Sequence, residues 1–433
     1  MPIQKIPGLD ISYALISFDD NGRERTDDPE GGVFSRRVQE QVRQTQPTDI
    51  FLFSHGWKGD VPSAIDQYNR WIGALWKVTA DRGAMGTAFR PLFIGLHWPS
   101  QPWGEEAIGA GAAAFGTAAG ATLEPLLRAA VAHFGGGDAV RQPLELIFAA
   151  FERDPAARVL PDSVVSAYGE LAKAIGFSAG SGPDGAPDEE GAALDPQAAV
   201  RAERIASAGE SFGLQGNVRN GILAGLRQAS FWLMKHRART IGEQGMHQCV
   251  ADLERTSSAQ VHLMGHSFGC VVVSSILGGP GGSTPLPRPV SSAVLVQGAM
   301  SLWAYAETIP GTDKPGYFRR VLNGAVSGPI VTTQSSHDSA VGAAYPAAVG
   351  LVNEFDFGTE LPRFGGLGTW GIQGTPLAEK QTMQDENGVY AFKPGRIYNL
   401  ESSRFIPDHS GIDGPQVAHV LWQAVIAARG QRA

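Results

Sequence analysis

The residues best suited to do chemistry in this 433-residue sequence are the GHSFG motif at positions 265–269. An apolar stretch precedes the motif at 261–264, and apolar residues return at helical spacing over 268–277. A serine hydroxyl becomes an effective nucleophile when it is exposed beside a base, and a sharp strand-to-helix turn exposes it. Glycines two positions before and after the serine allow that turn without side-chain collision. The pattern therefore predicts a nucleophile elbow with Ser267 at its tip.

Two further candidates follow predicted strands later in the chain. Asp338 lies five residues after the apolar run 329–333, and His409 lies in the loop after the run 396–401. In this order of serine, acid and histidine, the sequence resembles the α/β-hydrolase superfamily of serine hydrolases, including its esterases and lipases. The resemblance implies that His409 is the general base and that Asp338 orients its imidazole ring.

The same loops leave alternatives open. His337 is adjacent to Asp338, and Asp408 is adjacent to His409, so the sequence does not decide which side chains point inward. Asp356 and Asp313 are alternative acids.

An oxyanion hole requires two backbone N–H donors directed at the developing negative oxygen. The resemblance implies that Phe268, the residue after the nucleophile, supplies one of them. The second is expected from the turn that follows the apolar strand candidate 50–54, where Trp57 is the first choice and Gly56 the next.

Three residues near these motifs are candidate substrate contacts. They are His55, which opens the turn after the strand candidate 50–54, His266, which belongs to the GHSFG motif, and Trp98, which ends a strand candidate that faces the same edge of the sheet.

Short apolar strands alternate with helical segments through most of the chain. Strand candidates are 11–18, 50–54, 92–98, 261–264, 293–297, 329–333 and 396–401, and helical segments are 33–44, 64–80 and 217–253. Such alternation is typical of the α/β class, with a mostly parallel sheet flanked by helices. We expect two parts of a hydrolase core, residues 1–100 and 217–433.

Residues 101–216 interrupt this alternation and resemble the helical lid or cap insertions of the same superfamily. The stretch 107–122 is almost entirely Ala, Gly and Thr, and it is too short and too weakly apolar for a confident transmembrane span. Residues 178–196 are rich in Gly, Pro and acidic side chains, which indicates a flexible linker. A lid of this kind also suggests a weak contact with lipid surfaces.

Composition limits the remaining possibilities. Forty-three per cent of the residues are hydrophobic and the formal net charge is −8, so we expect a globular protein that does not bind nucleic acid. The histidines and the two cysteines, Cys249 and Cys270, show no paired ligand spacing, so no metal and no cofactor are expected. The N-terminal segment lacks a signal-peptide pattern, which favours the cytoplasm.

The function implied by the resemblance is hydrolysis of carboxylic esters through an acyl-enzyme on Ser267. The expected substrate is a small ester with an apolar acyl group, since aromatic residues accompany the motifs. A lipase acting at interfaces, an amidase or peptidase, and an acyltransferase use the same three residues. A binding protein of the same fold is disfavoured, because it has no need to keep all three side chains.

Overall fold

The computed structural model describes residues 3–27, 32–57, 61–100, 124–154, 157, 159–176, 194–200, 224–338, 341 and 361–430. The chain divides into two compact units. The first comprises Met1–Ser100, Arg237–Gly342 and Gly365–Ala433, and the second comprises Gln101–His236 and Ala343–Phe364.

Within the described residues of the first unit, nine strands form one sheet. In chain order they are β1 Ile3–Lys5, β2 Ser12–Ser17, β3 Asp49–Ser54, β4 Pro91–His97, β5 Gln260–His266, β6 Ser292–Val296, β7 Ile330–Gln334, β8 Ala378–Thr382 and β9 Ile397–Glu401. Their spatial order is β1-β2-β4-β3-β5-β6-β7-β9-β8. The pairing of β1 with β2 is antiparallel, and the other pairings are parallel. The predicted α/β class with a mostly parallel sheet is thus confirmed.

The central strands are buried along their whole length. Every residue of β3 and β5 is buried, and their sequences, DIFLFS and QVHLMGH, are largely apolar. Strands covered on both faces read as continuous apolar runs, which is why the sequence revealed them.

Helices flank the sheet in the first unit. They are α1 Phe34–Thr45, α2 Val61–Lys77, α3 Thr79–Ala84, α8 His247–Thr256, α9 Gly269–Gly278, α10 Leu367–Trp370 and α11 Pro415–Arg429, and α7 Ala224–Ile241 runs into this unit from the second. Helix α11 packs against α2, β6 and β7, and α9 packs against β3, β5 and β6. One large core joins Trp71 of α2, Met264 of β5 and Trp422 of α11.

The segment predicted as helical at 217–253 is interrupted at its centre. A π-helical turn, Gly242–Met246, separates α7 from α8. Both glycines of this turn are in close contact with other segments, since an added Cβ would lie 2.5 Å from Ser275 Cβ at Gly242 and 2.0 Å from the Gly22 carbonyl at Gly245.

The second unit has a hydrophobic core of its own. Its helices in the described residues include α4 Glu124–His133, α5 Asp138–Arg153 and α6 Asp162–Ala174. Leu144, Ile147, Tyr168 and Leu171 are buried together with Leu226 of α7. The stretch 107–122 and nearly all of the predicted linker at 178–196 lie outside the described residues. Among the helices that are described, none combines the length and the apolar character needed to cross a membrane.

Candidate active site

Ser267 lies at a strained turn between β5 and α9. Its φ is +56°, a left-handed conformation that non-glycine residues seldom adopt. The two flanking glycines are required by close packing, because an added Cβ would lie 2.4 Å from the Gly269 carbonyl oxygen at Gly265 and 2.3 Å from the Ser54 carbonyl oxygen at Gly269. The turn is held by the Ser267 amide, which donates to the Val296 carbonyl at 3.1 Å. The sequence therefore folds into the strand-turn-helix geometry that an elbow needs.

The loops after β7 and β9 bring Asp338 and His409 to the same edge of the sheet as Ser267. His409 Nε2 lies 2.8 Å from Ser267 Oγ, and His409 Nδ1 lies 2.8 Å from Asp338 Oδ2. Because a carboxylate only accepts hydrogen bonds, Nδ1 carries the ring proton and Nε2 accepts from the serine hydroxyl. The three predicted side chains thus form one continuous chain of hydrogen bonds.

The acid and the histidine of this hydrogen-bonded chain differ in their exposure to solvent. The Asp338 side chain is fully buried, whereas that of His409 is 20% exposed. The acid is therefore shielded from water, and the imidazole stays accessible from solvent.

The neighbouring alternatives point elsewhere. His337 is exposed, and so is Asp408, whose carboxylate accepts the backbone amides of Ser410 and Gly411. Asp408 therefore shapes the turn that carries His409. Asp313 is exposed as well, and Asp356 lies outside the described residues.

Sequence reasoning missed the side chain that bonds to Asp338 beside His409. Gln297, directly after β6, donates from Nε2 to Asp338 Oδ2 at 2.9 Å, and the Val341 amide donates to Oδ1 at 2.9 Å. The sequence signal at Gln297 is its position directly after a central strand. The residue type adds nothing, because any glutamine side chain can donate a hydrogen bond.

The glycine-rich segment 365–371 also lies beside this acid. An added Cβ at Gly368 would come within 3.0 Å of Asp338 Oδ2 and within 2.8 Å of the Gln297 backbone. The lack of a side chain at Gly368 therefore leaves the space that the Asp338 carboxylate and the Gln297 backbone occupy.

His266 bonds to the loop that carries His409. Its Nε2 donates to the His409 carbonyl at 2.8 Å, and its Nδ1 accepts from Gln67 Nε2 at 3.2 Å. Burial, reinforced by the neighbouring His409, lowers the pKa of His266 well below its ordinary value, so the ring is neutral. His266 thus connects α2 to the His409 loop, and a direct contact with substrate stays a prediction.

The turn after β3 lies directly against the elbow. An added Cβ at Gly56 would lie 2.5 Å from Ser267 Cβ and 2.9 Å from the His266 carbonyl oxygen. The ring of Trp57, which is partly exposed, meets the buried ring of Phe268 edge-on with centroids 5.7 Å apart. Gly56 therefore lies against Ser267, and Trp57 lies against Phe268, the residue that follows the serine. The roles of Gly56, Trp57 and Phe268 as oxyanion donors stay predictions.

His55 and Trp98 are buried against each other behind this turn. Their rings are stacked with centroids 5.5 Å apart, and His55 Nδ1 donates to the Gly56 carbonyl at 2.9 Å. Burial, with a smaller contribution from His97, lowers the pKa of His55 to about 3, so this ring too is neutral. The His55 ring thus orients the peptide that faces Ser267, and contact of His55 or Trp98 with substrate stays a prediction.

Among the described residues, no three His, Cys, Asp or Glu side chains cluster as a metal site. Comparison of the whole chain with protein-family models, curated proteins and solved structures gives no significant match. The fold and the site therefore define an α/β protein with a mostly parallel sheet. At the carboxyl edge of that sheet, a serine is hydrogen-bonded to a histidine, and the histidine to an aspartate. Any narrower assignment depends on the chemistry of these residues.

Proposed function

We propose that this protein is a serine hydrolase of the α/β-hydrolase type that cleaves carboxylic esters. The observation that supports the proposal is the continuous hydrogen-bonded chain Ser267–His409–Asp338, with the serine held at a left-handed turn. A nucleophile, a base and an orienting acid in this geometry are the requirements for covalent acyl transfer.

In the first half-reaction, Ser267 Oγ attacks the ester carbonyl carbon while its proton passes to His409 Nε2. The Asp338 carboxylate stabilises the resulting imidazolium and keeps the ring proton on Nδ1. Collapse of the tetrahedral intermediate breaks the bond to the alcohol oxygen, which takes the proton from Nε2. The products are the free alcohol and an acyl ester on Ser267.

In the second half-reaction, water attacks the acyl-enzyme and gives its proton to His409 Nε2. The proton then returns to Ser267 Oγ as the carboxylic acid leaves. The negative oxygen of each intermediate would lie beside the Phe268 amide and the turn at Gly56 and Trp57. Gly56 packs against Ser267, Trp57 packs against Phe268, and backbone amides next to a nucleophile are the usual oxyanion donors.

An apolar acyl group is the proposed substrate feature. The Trp57 ring is partly exposed and packs on the buried Phe268 ring beside the elbow, so Trp57 offers aromatic surface to a bound ligand. Matched esters, amides and thioesters of one acyl group, with and without an added alcohol acceptor, separate esterase from amidase and acyltransferase activity. Soluble short esters compared with emulsified long ones separate an esterase from an interfacial lipase.

Covalent labelling with a fluorophosphonate tests the proposal directly. We expect one adduct on Ser267, located by peptide mapping, and no adduct in Ser267→Ala. Ser410→Ala is the matched control, because this exposed serine lies next to His409 outside the hydrogen-bonded chain and should leave labelling unchanged. An adduct on another residue, or equal labelling of Ser267→Ala, would refute the assignment of the nucleophile.

A further inference from the structure

Gln297 has an unusual backbone conformation for a buried polar residue. Among the described residues, the non-glycine residues with positive φ are Gln46 at +46°, Ser267 at +56° and Gln297 at +47°. Gln46 is exposed at the end of α1, where a left-handed residue commonly terminates a helix. Ser267 is the proposed nucleophile. Gln297 is completely buried, so its strained backbone is accounted for neither by a helix end nor by the nucleophile.

The Gln297 side chain is hydrogen-bonded at each of its polar atoms. Its Nε2 donates to Asp338 Oδ2 at 2.9 Å and to the Gly368 carbonyl at 3.3 Å. The Thr333 hydroxyl accepts from the Gln297 backbone amide at 3.0 Å and donates to Oε1 at 2.9 Å. Since a carboxylate cannot donate, the amide group must face Asp338 through nitrogen, so its orientation is fixed.

We propose that Gln297 is a positioning residue that holds Asp338 Oδ2 toward His409 Nδ1, an inference that rests on the proposed serine-hydrolase function. Oδ2 accepts from both His409 Nδ1 and Gln297 Nε2, and Oδ1 accepts from the Val341 amide. The two donors other than His409 fix the plane of the carboxylate. Without Gln297, the Val341 amide is the other donor among the described residues that would oppose rotation of the carboxylate away from the imidazole.

The left-handed backbone explains how Gln297 reaches the acid. The residue follows β6 directly and its neighbour Gly298 accepts from the Gly368 amide, so the chain turns at once along the edge of the sheet. A glycine at 297 would make this turn without strain but would provide no donor to Asp338. The strained backbone at Gln297 thus accompanies a side chain that bonds directly to Asp338. Ser267 lies at the other end of the hydrogen-bonded chain, on the far side of the His409 ring.

Two substitutions separate positioning from simple packing. Gln297→Gly removes the donor and relieves the backbone, so the fold should persist. Gln297→Glu keeps the shape and serves as the second variant if the glycine variant does not fold. Gln46→Gly is the matched control, because it changes the same residue type in the same conformation at an exposed helix end far along the chain.

For Gln297→Gly we expect kcat to fall about 10- to 100-fold, the usual effect of losing a hydrogen bond to a charged group, while KM changes less than about twofold. In Gln297→Glu two carboxyl groups share one proton, as close acidic pairs do. Its kcat/KM should therefore decline on the alkaline side, where that proton is lost, and the wild type should lack this limb. Gln46→Gly should match the wild type in each measurement.

A second readout does not depend on turnover. The His409 Nδ1 proton, bonded to a buried carboxylate, should give a slowly exchanging downfield NMR signal, assigned by its absence in His409→Gln. We expect that signal to broaden or move upfield in Gln297→Gly and to persist in Gln46→Gly.

A kcat within about twofold of the wild type in each Gln297 variant that folds, or an unchanged NMR signal in each of them, would overturn the inference. If the wild type does not react with the fluorophosphonate, the proposed function fails instead. The NMR comparison still decides the role of Gln297 in that case.

Discussion

Replacing Asp338 by asparagine is a stringent test of the acid, because the groups bonded to its carboxylate are hydrogen-bond donors. His409 Nδ1 and Gln297 Nε2 bond to Oδ2 at 2.8 and 2.9 Å, and the Val341 amide bonds to Oδ1 at 2.9 Å. The carboxamide of asparagine has the same shape but only one acceptor atom. One side of the new group must therefore present N–H to another donor.

Both orientations of the carboxamide impair the site. If the oxygen faces His409 and Gln297, the NH₂ group meets the Val341 amide and the imidazolium loses its compensating charge. If the NH₂ group faces His409, the ring proton moves to Nε2, and Ser267 loses its base. A loss of the correct tautomer costs about 10⁴ in kcat in the best-characterised triad, which corresponds to about 5.5 kcal/mol. We expect a decrease of about 10³- to 10⁴-fold in kcat, with little change in KM.

Steady-state rates on a soluble ester, normalised to the amount of folded protein, measure this effect. Asp408→Asn is the matched control, because Asp408 is exposed next to His409 and its Oδ1 accepts two backbone amides, which an asparagine oxygen also does. That variant should retain wild-type kcat. A kcat for Asp338→Asn within tenfold of the wild type would show that the acid lies elsewhere.

Three further perturbations test the groups around the elbow. Gly56→Ala places a Cβ 2.5 Å from Ser267 Cβ, so fluorophosphonate labelling should slow by about 100-fold, whereas Gly83→Ala, with no atom within 4 Å, should not change it. Equal rates for the two would contradict the close approach at Gly56. His266→Phe removes the donor to the His409 carbonyl and should lower kcat about tenfold at constant KM, and wild-type kcat would exclude this role. The pKa of His55 is about 3 in the folded protein and 6.5 when unfolded, so the unfolded state binds the extra proton between these values. The free energy of unfolding in urea should thus fall by about 2.5 kcal/mol between pH 7 and 4.5 through His55. A His55→Gln protein with the same pH dependence would contradict this.

The fold could be predicted where burial dictates composition. β3 and β5 are largely apolar because both of their faces are covered. Each strand candidate overlaps a strand of the structure, and their first and last residues differ by at most two positions. Strand β8, with the sequence AEKQT, pairs only at the sheet edge and is partly exposed, so its composition resembles a loop. Edge strands of this kind lack a hydrophobic pattern that reveals them.

Some residues of the site could likewise be predicted from the sequence, and others could not. Ser267, Asp338 and His409 follow buried strands in the order that the resemblance implies, and the structure joins the three side chains by hydrogen bonds. Gln297 acquires its meaning from a contact 41 positions along the chain, and nothing in the local sequence indicates it. His55 opens the turn predicted after the strand candidate 50–54, and its ring stacks on Trp98 and donates to the Gly56 carbonyl, an orientation fixed by tertiary packing.

The two buried strained residues of this site belong to adjacent turns that are bonded to each other. Ser267 follows β5 and Gln297 follows β6, and these strands pair in parallel. The Ser267 amide donates to the Val296 carbonyl, and the Ala299 amide donates to the Ser267 carbonyl at 3.2 Å, so each turn restrains the other. Left-handed conformations of non-glycine residues cost about 1–3 kcal/mol each and persist only where the surroundings enforce them. Here the mutual bonds restrain both turns. They hold two side chains on the hydrogen-bonded chain through His409, namely Ser267, the proposed nucleophile, and Gln297, which bonds to the proposed acid. The precision of the proposed triad therefore derives from the paired turns of β5 and β6 as much as from the three residues themselves.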